Sequence, residues 1–337
     1  MKTSSLYNSI LKTYICGLIE EKHLHGFQSE SLKYNLADID RYMQDNKPDG
    51  ICINETYFNK WLAYADNPNL SRKTVYAKVS RFRQLMIYMN NLGIECYIPR
   101  LPRENEHRYV PHIYSEKEIL DIFDACDSLR PRTFRGRTCY YALPALFRLL
   151  YSTGIRIGEA LAIKNQDVDF KKKHIFINKT KNCHQRFAPI NNTLASVLKD
   201  YIRFRNHITC KPVGNPSSPL FVNSKGEPLS QVGVQHIFNH IILTKAGIPF
   251  IGQHMGPRIH DIRHTACVHA LKKLVSGGYD IYCCMPLLAN FMGHINPMST
   301  ETYLRLSQEV YPEVIGVQAL QAEEIAHILS RSVTTKF

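Results

Sequence analysis

Near the C-terminal end, Gly293-His294-Ile295-Asn296-Pro297-Met298-Ser299-Thr300-Glu301-Thr302-Tyr303 sets an imidazole nine positions before a phenol. A phenol with a pKa of about 10 is a poor nucleophile at neutral pH. It becomes competent when cations or a base stand beside it. Taken alone, the stretch fits a loop histidine and one of nineteen tyrosines equally well, so its meaning depends on whether the rest of the chain supplies positive charge.

Two other places supply it. Arg156 follows a Thr153-Gly154 break, with Glu159 three residues on. His260 and Arg263 are spaced to share one face of a helix. An arginine fork grips two oxygens of a phosphate and stays charged, whereas histidine and lysine can be tuned to move protons. Arg156 with Glu159 also has the spacing of a common surface ion pair. His260 and His264 have the H-x-x-x-H spacing of a zinc pair, but Asp261 stands where H-E-x-x-H has its glutamate and no third ligand is evident.

His260-Asp261-Ile262-Arg263-His264-Thr265-Ala266, followed by Gly293-His294 and Tyr303, resembles the C-terminal signature of the tyrosine recombinases, the phage-integrase family. Thr153-Gly154-Ile155-Arg156-Ile157-Gly158-Glu159-Ala160-Leu161 resembles that family's first conserved block, in the family's order. The resemblance implies that Arg156 and Arg263 grip the scissile phosphate and that Glu159 orients the site. It implies that His260 contacts the phosphate or moves a proton, that His294 hydrogen-bonds the phosphate, and that Tyr303 is the nucleophile of a covalent 3′-phosphotyrosine intermediate. The family's catalytic lysine lies in a β-hairpin; counting back eight residues from Pro189 selects Lys181, with Lys179 as the alternative. No metal and no cofactor is implied, because the phosphotyrosine stores the bond energy for rejoining. The partners implied are double-stranded DNA and three further copies of the chain, a homo-tetramer on paired sites exchanging strands through a Holliday junction. Two departures stand out. The gap from His264 to His294 is longer than usual, with Ser276 to Met285 as the apparent insertion. Leu304-Arg305-Leu306 lacks the histidine often found after the nucleophile.

The elements that must position these residues are mostly helical. In residues 1–105, Leu6 to Lys22, Ser29 to Asn46, Glu55 to Asp66 and Ser71 to Asn91 carry apolar residues at three- and four-residue spacing. The last has a Ser71 N-cap and Lys73, Lys78, Arg81 and Arg83 around its polar side. Pro99, Pro102 and Pro111 bracket a polar, aperiodic stretch that predicts a domain linker. Beyond it, Ser115 and Glu118 form a capping box. Tyr140 to Ser152, Arg156 to Ala162, Thr193 to Asn206, Ser230 to Ala246, His260 to Val275 and Pro286 to Met292 predict helices. Gly293 closes the last, and Ser299 or Thr300 caps a further one holding Tyr303. Lys173 to Asn178 and Arg186 to Ile190 predict a small hairpin, and Leu220 to Val222 a short strand. Val314 to Leu329 is spaced as a terminal amphipathic helix. The fold class is therefore mostly α with a small β-sheet (α+β). It reads as a two-domain DNA clamp: a helical core-binding domain at 1–105 and an integrase-like catalytic domain with a tail helix at 106–337.

Composition agrees. A chain of 337 residues with 44% hydrophobic and 21% charged residues has the makings of two globular domains. The net charge is +13: residues 1–105 carry 14 Lys and Arg against 11 acids, and the remainder 28 against 18. Basic residues gather at Arg130, Arg132, Arg135 and Arg137 and at Lys171, Lys172 and Lys173, clusters that suit a phosphate backbone. No apolar run reaches the roughly 20 residues of a membrane span. The ten scattered cysteines lack a C-x-x-C pair and no signal peptide precedes them, so a cytoplasmic, nucleoid-associated protein with reduced thiols is expected. Two rivals share the fold: a type IB topoisomerase-like enzyme that relaxes DNA, and a catalytically silent DNA-binding regulator.

Overall fold

The structure, a computed structural model, describes residues 6–26, 30–68, 70–102, 110–130, 139–178, 185–250 and 256–293. They fall into two compact units, one built from the described residues up to 102 and one from those starting at 110.

The first unit holds four helices, α1 (Lys12–Leu24), α2 (Glu30–Asp45), α3 (Glu55–Ala65) and α4 (Arg72–Asn91). Helix α4 is the one against which the other three pack. Its Val75, Val79, Phe82, Leu85, Met86 and Met89 are all buried, the face expected from the sequence. The Trp61 ring of α3 lies tilted against Phe82, 4.4 Å between centroids, within this core. Ser71 caps α4 by accepting the Thr74 amide. Helix α1 starts six residues later than its periodicity suggests. The chain before it is turned aside because the Asp40 carboxylate of α2 accepts the backbone N–H groups of Asn8 and Ser9 at 2.9 and 3.0 Å. Two of the basic residues around α4 serve the fold itself. Lys78 pairs with Asp38 of α2 at 2.8 Å, and Arg83 donates to the Pro99 carbonyl at 2.7 Å.

In the second unit α5 (Glu116–Asp127) opens on the expected capping box. The Glu118 N–H donates to Ser115 Oγ and the Ser115 N–H to the Glu118 carboxylate. A 3₁₀ turn (Tyr140–Ala142) leads into α6 (Leu143–Thr153), a nearly all-buried helix that packs against α5, α7 (Ile157–Ala162), α8 (Asn192–Ile208) and α11 (Ile259–Ser276). The sheet has three antiparallel strands in sequence order: β1 (Val168–Asp169), β2 (His174–Ile177) and β3 (Arg186–Pro189). Ile177 pairs with Arg186 and Ile175 with Ala188. Ile175, Ile177 and Ala188 are buried, so this register turns one face of the ribbon to the core.

The segment expected as one helix from Ser230 divides into α9 (Gln231–Ile237), a π turn (Phe238–Ile242) and α10 (Leu243–Lys245). Leu220 to Val222 forms no strand; the neighbouring backbone makes only isolated bridges, Lys164 with Pro219 and Val222 with Pro228. Helix α12 (Ile281–Met292) begins five residues before the predicted start at Pro286. Much of the apparent insertion is thus helix. Asp280 caps it by accepting the Cys283 N–H at 3.0 Å, and Ile281, Cys284, Leu288 and Met292 bury one stripe against Cys267, Val268, Leu271 and Val275 of α11. Gly293 ends α12 in the left-handed conformation at φ 66°, as expected.

Candidate active site

Three helix ends meet in the second unit: the C-terminus of α6, the N-terminus of α7 and the C-terminus of α12, with α11 crossing behind them. Gly154 closes α6 with a φ of 61°. A side chain there would be strained, and an added Cβ would lie 2.8 Å from the Met292 sulfur, so the corner admits only glycine and seats α12 against α6. The chain then extends through Ile155 and re-enters a helix at Ile157 with Arg156 as its N-cap residue.

The Arg156–Glu159 pair is closed twice. The Glu159 carboxylate accepts the Arg156 backbone N–H at 3.0 Å and the Arg156 guanidinium at 2.8 Å. The ion-pair reading of this spacing is therefore correct, and it does not compete with the site: Glu159 is buried, while Arg156 keeps about a quarter of its side-chain surface open. A second cation, Arg186 at the start of β3, reaches the same carboxylate at 2.9 Å. Burial alone would raise the pKa of Glu159. The hydrogen bonds from Arg186 and from the Arg156 backbone, with the charge of Arg186, overcome that and hold it below the ordinary carboxylate range. One carboxylate between two arginines leaves the cluster positively charged.

Helix α11 repeats the device. Its N-cap residue Arg258 donates its N–H to the Asp261 carboxylate at 2.9 Å and its guanidinium at 3.1 Å, and Asp261 is fully buried. Tyr114 ties down this end through two bonds, its hydroxyl to the Arg258 carbonyl and its N–H to Thr265 Oγ1. From the helix start so fixed, Arg263 runs inward. It is 3% exposed, and its Nη1 and Nη2 donate to the carbonyl oxygens of Gly154 and Met292, each at 2.6 Å.

His260 shares α11 with Arg263 and crosses the His264 ring edge to face at 4.9 Å. The residue keeps an open edge to solvent. The protein mass around its ring nonetheless disfavours a charge there. His264, Arg263 and Arg156 add like-sign repulsion, Asp261 only partly offsets it, and the pKa is pushed down to about 4. Water at the open edge screens part of this, yet the ring is neutral at pH 7.

The structure thus brings Arg156, Glu159, His260 and Arg263 together from two helices, α7 and α11. Lys181, the alternative Lys179, His294 and Tyr303 lie outside the described residues, as do Arg132, Arg135, Arg137 and the tail run from Val314. Lys171, Lys172 and Lys173 stand exposed on the β1–β2 turn, where Asp169 accepts the N–H groups of the first two at 2.9 Å. Sequence reasoning missed Arg258 with Asp261 and also Arg186. The first pair repeats the Arg156–Glu159 spacing at a helix start. The second was legible only as a charged residue at an inward-facing strand position. Among the described residues no three His, Cys, Asp or Glu side chains gather as a metal site, and no helix is long and apolar enough to cross a membrane.

This arrangement can hold a tetrahedral anion between cations and offer it a neutral imidazole. The tyrosine recombinase XerC of Staphylococcus saprophyticus is 27% identical over 304 residues, covering 89% of this chain and 93% of that protein. Among solved structures, the XerH site-specific recombinase bound to a palindromic difH substrate superposes with a TM-score of 0.61 at 19% identity, over 86% of this chain and 79% of that one. A lambda integrase tetramer bound to a Holliday junction gives a TM-score of 0.60 at 16% identity, over 88% and 78%. The profile of the phage integrase family matches residues 113–309, which span every element of this site, and the chain belongs to that family of tyrosine recombinases.

Proposed function

We propose that this chain is a site-specific recombinase that breaks and rejoins DNA strands through Tyr303, with Arg156 and Arg263 neutralising the scissile phosphate. The observation that carries the reading is the convergence of these two arginines and the neutral His260 beside the helix end that leads to His294. A phosphodiester under attack gathers charge on its non-bridging oxygens, and preorganised arginine donors stabilise that charge without reorganising during the step. His260, uncharged at pH 7, can accept or relay a proton where a charged ring could not. Lys181 is assigned the proton for the departing 5′-oxygen and His294 a hydrogen bond to the phosphate. Glu159 holds the Arg156 guanidinium in one orientation, so its fork meets the phosphate preformed. In this reaction the phosphate ester passes from the 5′-oxygen to the phenol oxygen and back, so no net bond energy is lost and no cofactor is required.

The boundary near residue 105 is assigned to a helical core-binding domain followed by the catalytic domain, both on double-stranded DNA. Four copies on paired sites are assigned the full exchange through a Holliday junction, and the cytoplasm is assigned as its place of action.

The test begins with sheared genomic DNA from the source cell. Wild-type protein is incubated with it, SDS-stable protein–DNA adducts are captured, and the attached fragments are sequenced. Adducts at one recurring sequence, absent with Tyr303→Phe, are expected. Adducts scattered over unrelated sequences would indicate a topoisomerase-like enzyme. Sequence-selective retention without any adduct would indicate a silent DNA-binding regulator.

A further inference from the structure

The Glu159 carboxylate has two arginine partners, and only Arg156 belongs to the recombinase signature. The other, Arg186, opens β3 on the same strand face as the buried Ala188, so period-two alternation turns it inward, and only 10% of its side chain stays exposed. Its Nη2 is bonded to Glu159 at 2.9 Å. The rest of the group lies against Gly293: a Cβ there would stand 2.7 Å from its Nε and 2.8 Å from Cδ and Cζ. The Nε, buried and without a hydrogen-bond partner, shows that the guanidinium is seated by this close approach rather than by an acceptor at that atom. Gly293 is the αL cap of α12 and the residue immediately before His294. Five residues before Arg186 in the chain is Lys181.

We infer that Arg186 is a positioning residue of the strand-transfer site, holding the carboxylate that aligns Arg156 and bracing the helix end from which His294 departs. It acts through Glu159 on one side and through the α12 cap on the other. The same contact joins β3 to both, and Lys181 precedes β3 in the chain by five residues as His294 directly follows Gly293. This rests on the recombinase reading above for its consequence, though not for its geometry.

The experiment uses full-length protein and two readouts. The first is hydrogen exchange of the last turn of α12, residues 289–293, in wild type, Arg186→Met and, as a control, Arg203→Met, which removes an exposed pair with Asp200. Exchange about tenfold faster in Arg186→Met, with the Arg203→Met protein like wild type, is expected. Unchanged exchange overturns the brace whether or not the chain cleaves DNA. The second is single-turnover cleavage of a nicked suicide duplex built on the sequence recovered by adduct capture. Arg186→Met is expected to bind this duplex within threefold of wild type and to cleave it at least fiftyfold more slowly. Arg186→Lys, which can still meet Glu159 but cannot cover Gly293, is expected to fall between the two. A parallel loss of binding and cleavage marks a merely structural role and overturns the inference, as does wild-type cleavage. Failure of the wild-type protein to form any adduct would instead count against the recombinase reading, leaving the exchange measurement to decide on Arg186.

Discussion

Arg263 and Gly154, 109 residues apart in the chain, are joined by a 2.6 Å hydrogen bond from guanidinium to carbonyl. The same guanidinium holds the Met292 carbonyl, so the arginine assigned to the phosphate also pins together the ends of α6 and α12. These bonds use two of its five N–H groups and set the plane in which the fork faces the site.

Arg263→Lys therefore tests two roles at once. A lysine keeps the charge but cannot span both carbonyls in one plane. Leaving a buried carbonyl short of its donor costs about 1–3 kcal/mol, read by denaturant unfolding. Losing one transition-state donor slows cleavage by roughly 10²–10³. Single-turnover cleavage at the wild-type rate would remove Arg263 from the chemistry.

Glu159→Gln leaves Arg156 and Arg186 facing each other with no negative charge between them. Removing one partner of a buried ionic cluster destabilises by about 3–5 kcal/mol, and the 24% exposure of the Arg156 side chain places this case at the lower end. Thermal unfolding should show a clear drop, and cleavage should fall further than DNA binding. A variant as stable as wild type would mean that the two arginines find other anions.

Acid should weaken the fold through two groups of opposite type. His260 has a folded pKa of about 4, below its unfolded value near 6.5, so below pH 6.5 the unfolded state binds more protons. Stability tied to His260 is full above about pH 6.5 and falls as pH drops toward 4. Glu159, with its pKa held below the ordinary carboxylate value, adds stability that is complete above the unfolded value of about 4.3 and is lost as pH falls through the lower folded one. The gap between His260→Gln and wild type should change between pH 6.5 and 4 and be constant above pH 7. A difference that stays flat through the acid range would show that His260 titrates normally.

Cleavage is expected to proceed in excess EDTA, because Arg156, Arg263 and Lys181 are assigned the charge that Mg²⁺ carries in many phosphoryl-transfer sites. Loss of adduct formation in EDTA, restored by added Mg²⁺ or Zn²⁺, would replace that assignment with a metal-dependent one.

Deleting residues 313–337 is expected to leave binding to a single half-site intact while abolishing cooperative filling of a paired site. A head-to-tail contact made by a terminal amphipathic helix closes only in the complete ring. Gel-shift titration on one and on two half-sites measures this. Undiminished cooperativity would mean that Val314 to Leu329 packs on its own domain.

What the amino-acid order determined by itself is local. Ser71, Ser115 and Gly293 end or begin helices where their caps are written, because capping is settled within three or four residues. Arg156 and Glu159, and His260 and Arg263, share faces because 3.6 residues make a turn. Tertiary structure decided what crosses between elements. Asp40 turned aside the first residues expected in α1. Arg186 reached Glu159 across 27 residues only because β3 pairs with β2 in a register that aims it inward. Arg263 became a clamp on two carbonyls because α11 passes behind the Gly154 corner. The lowered pKa of His260 comes first from the burial of the ring, which depends on packing, then from its own helix neighbours His264 and Arg263, with Arg156 of α7 adding to them. Spacing can place a charge on a face, but what that face meets depends on packing among residues far apart in the chain, which no local pattern encodes.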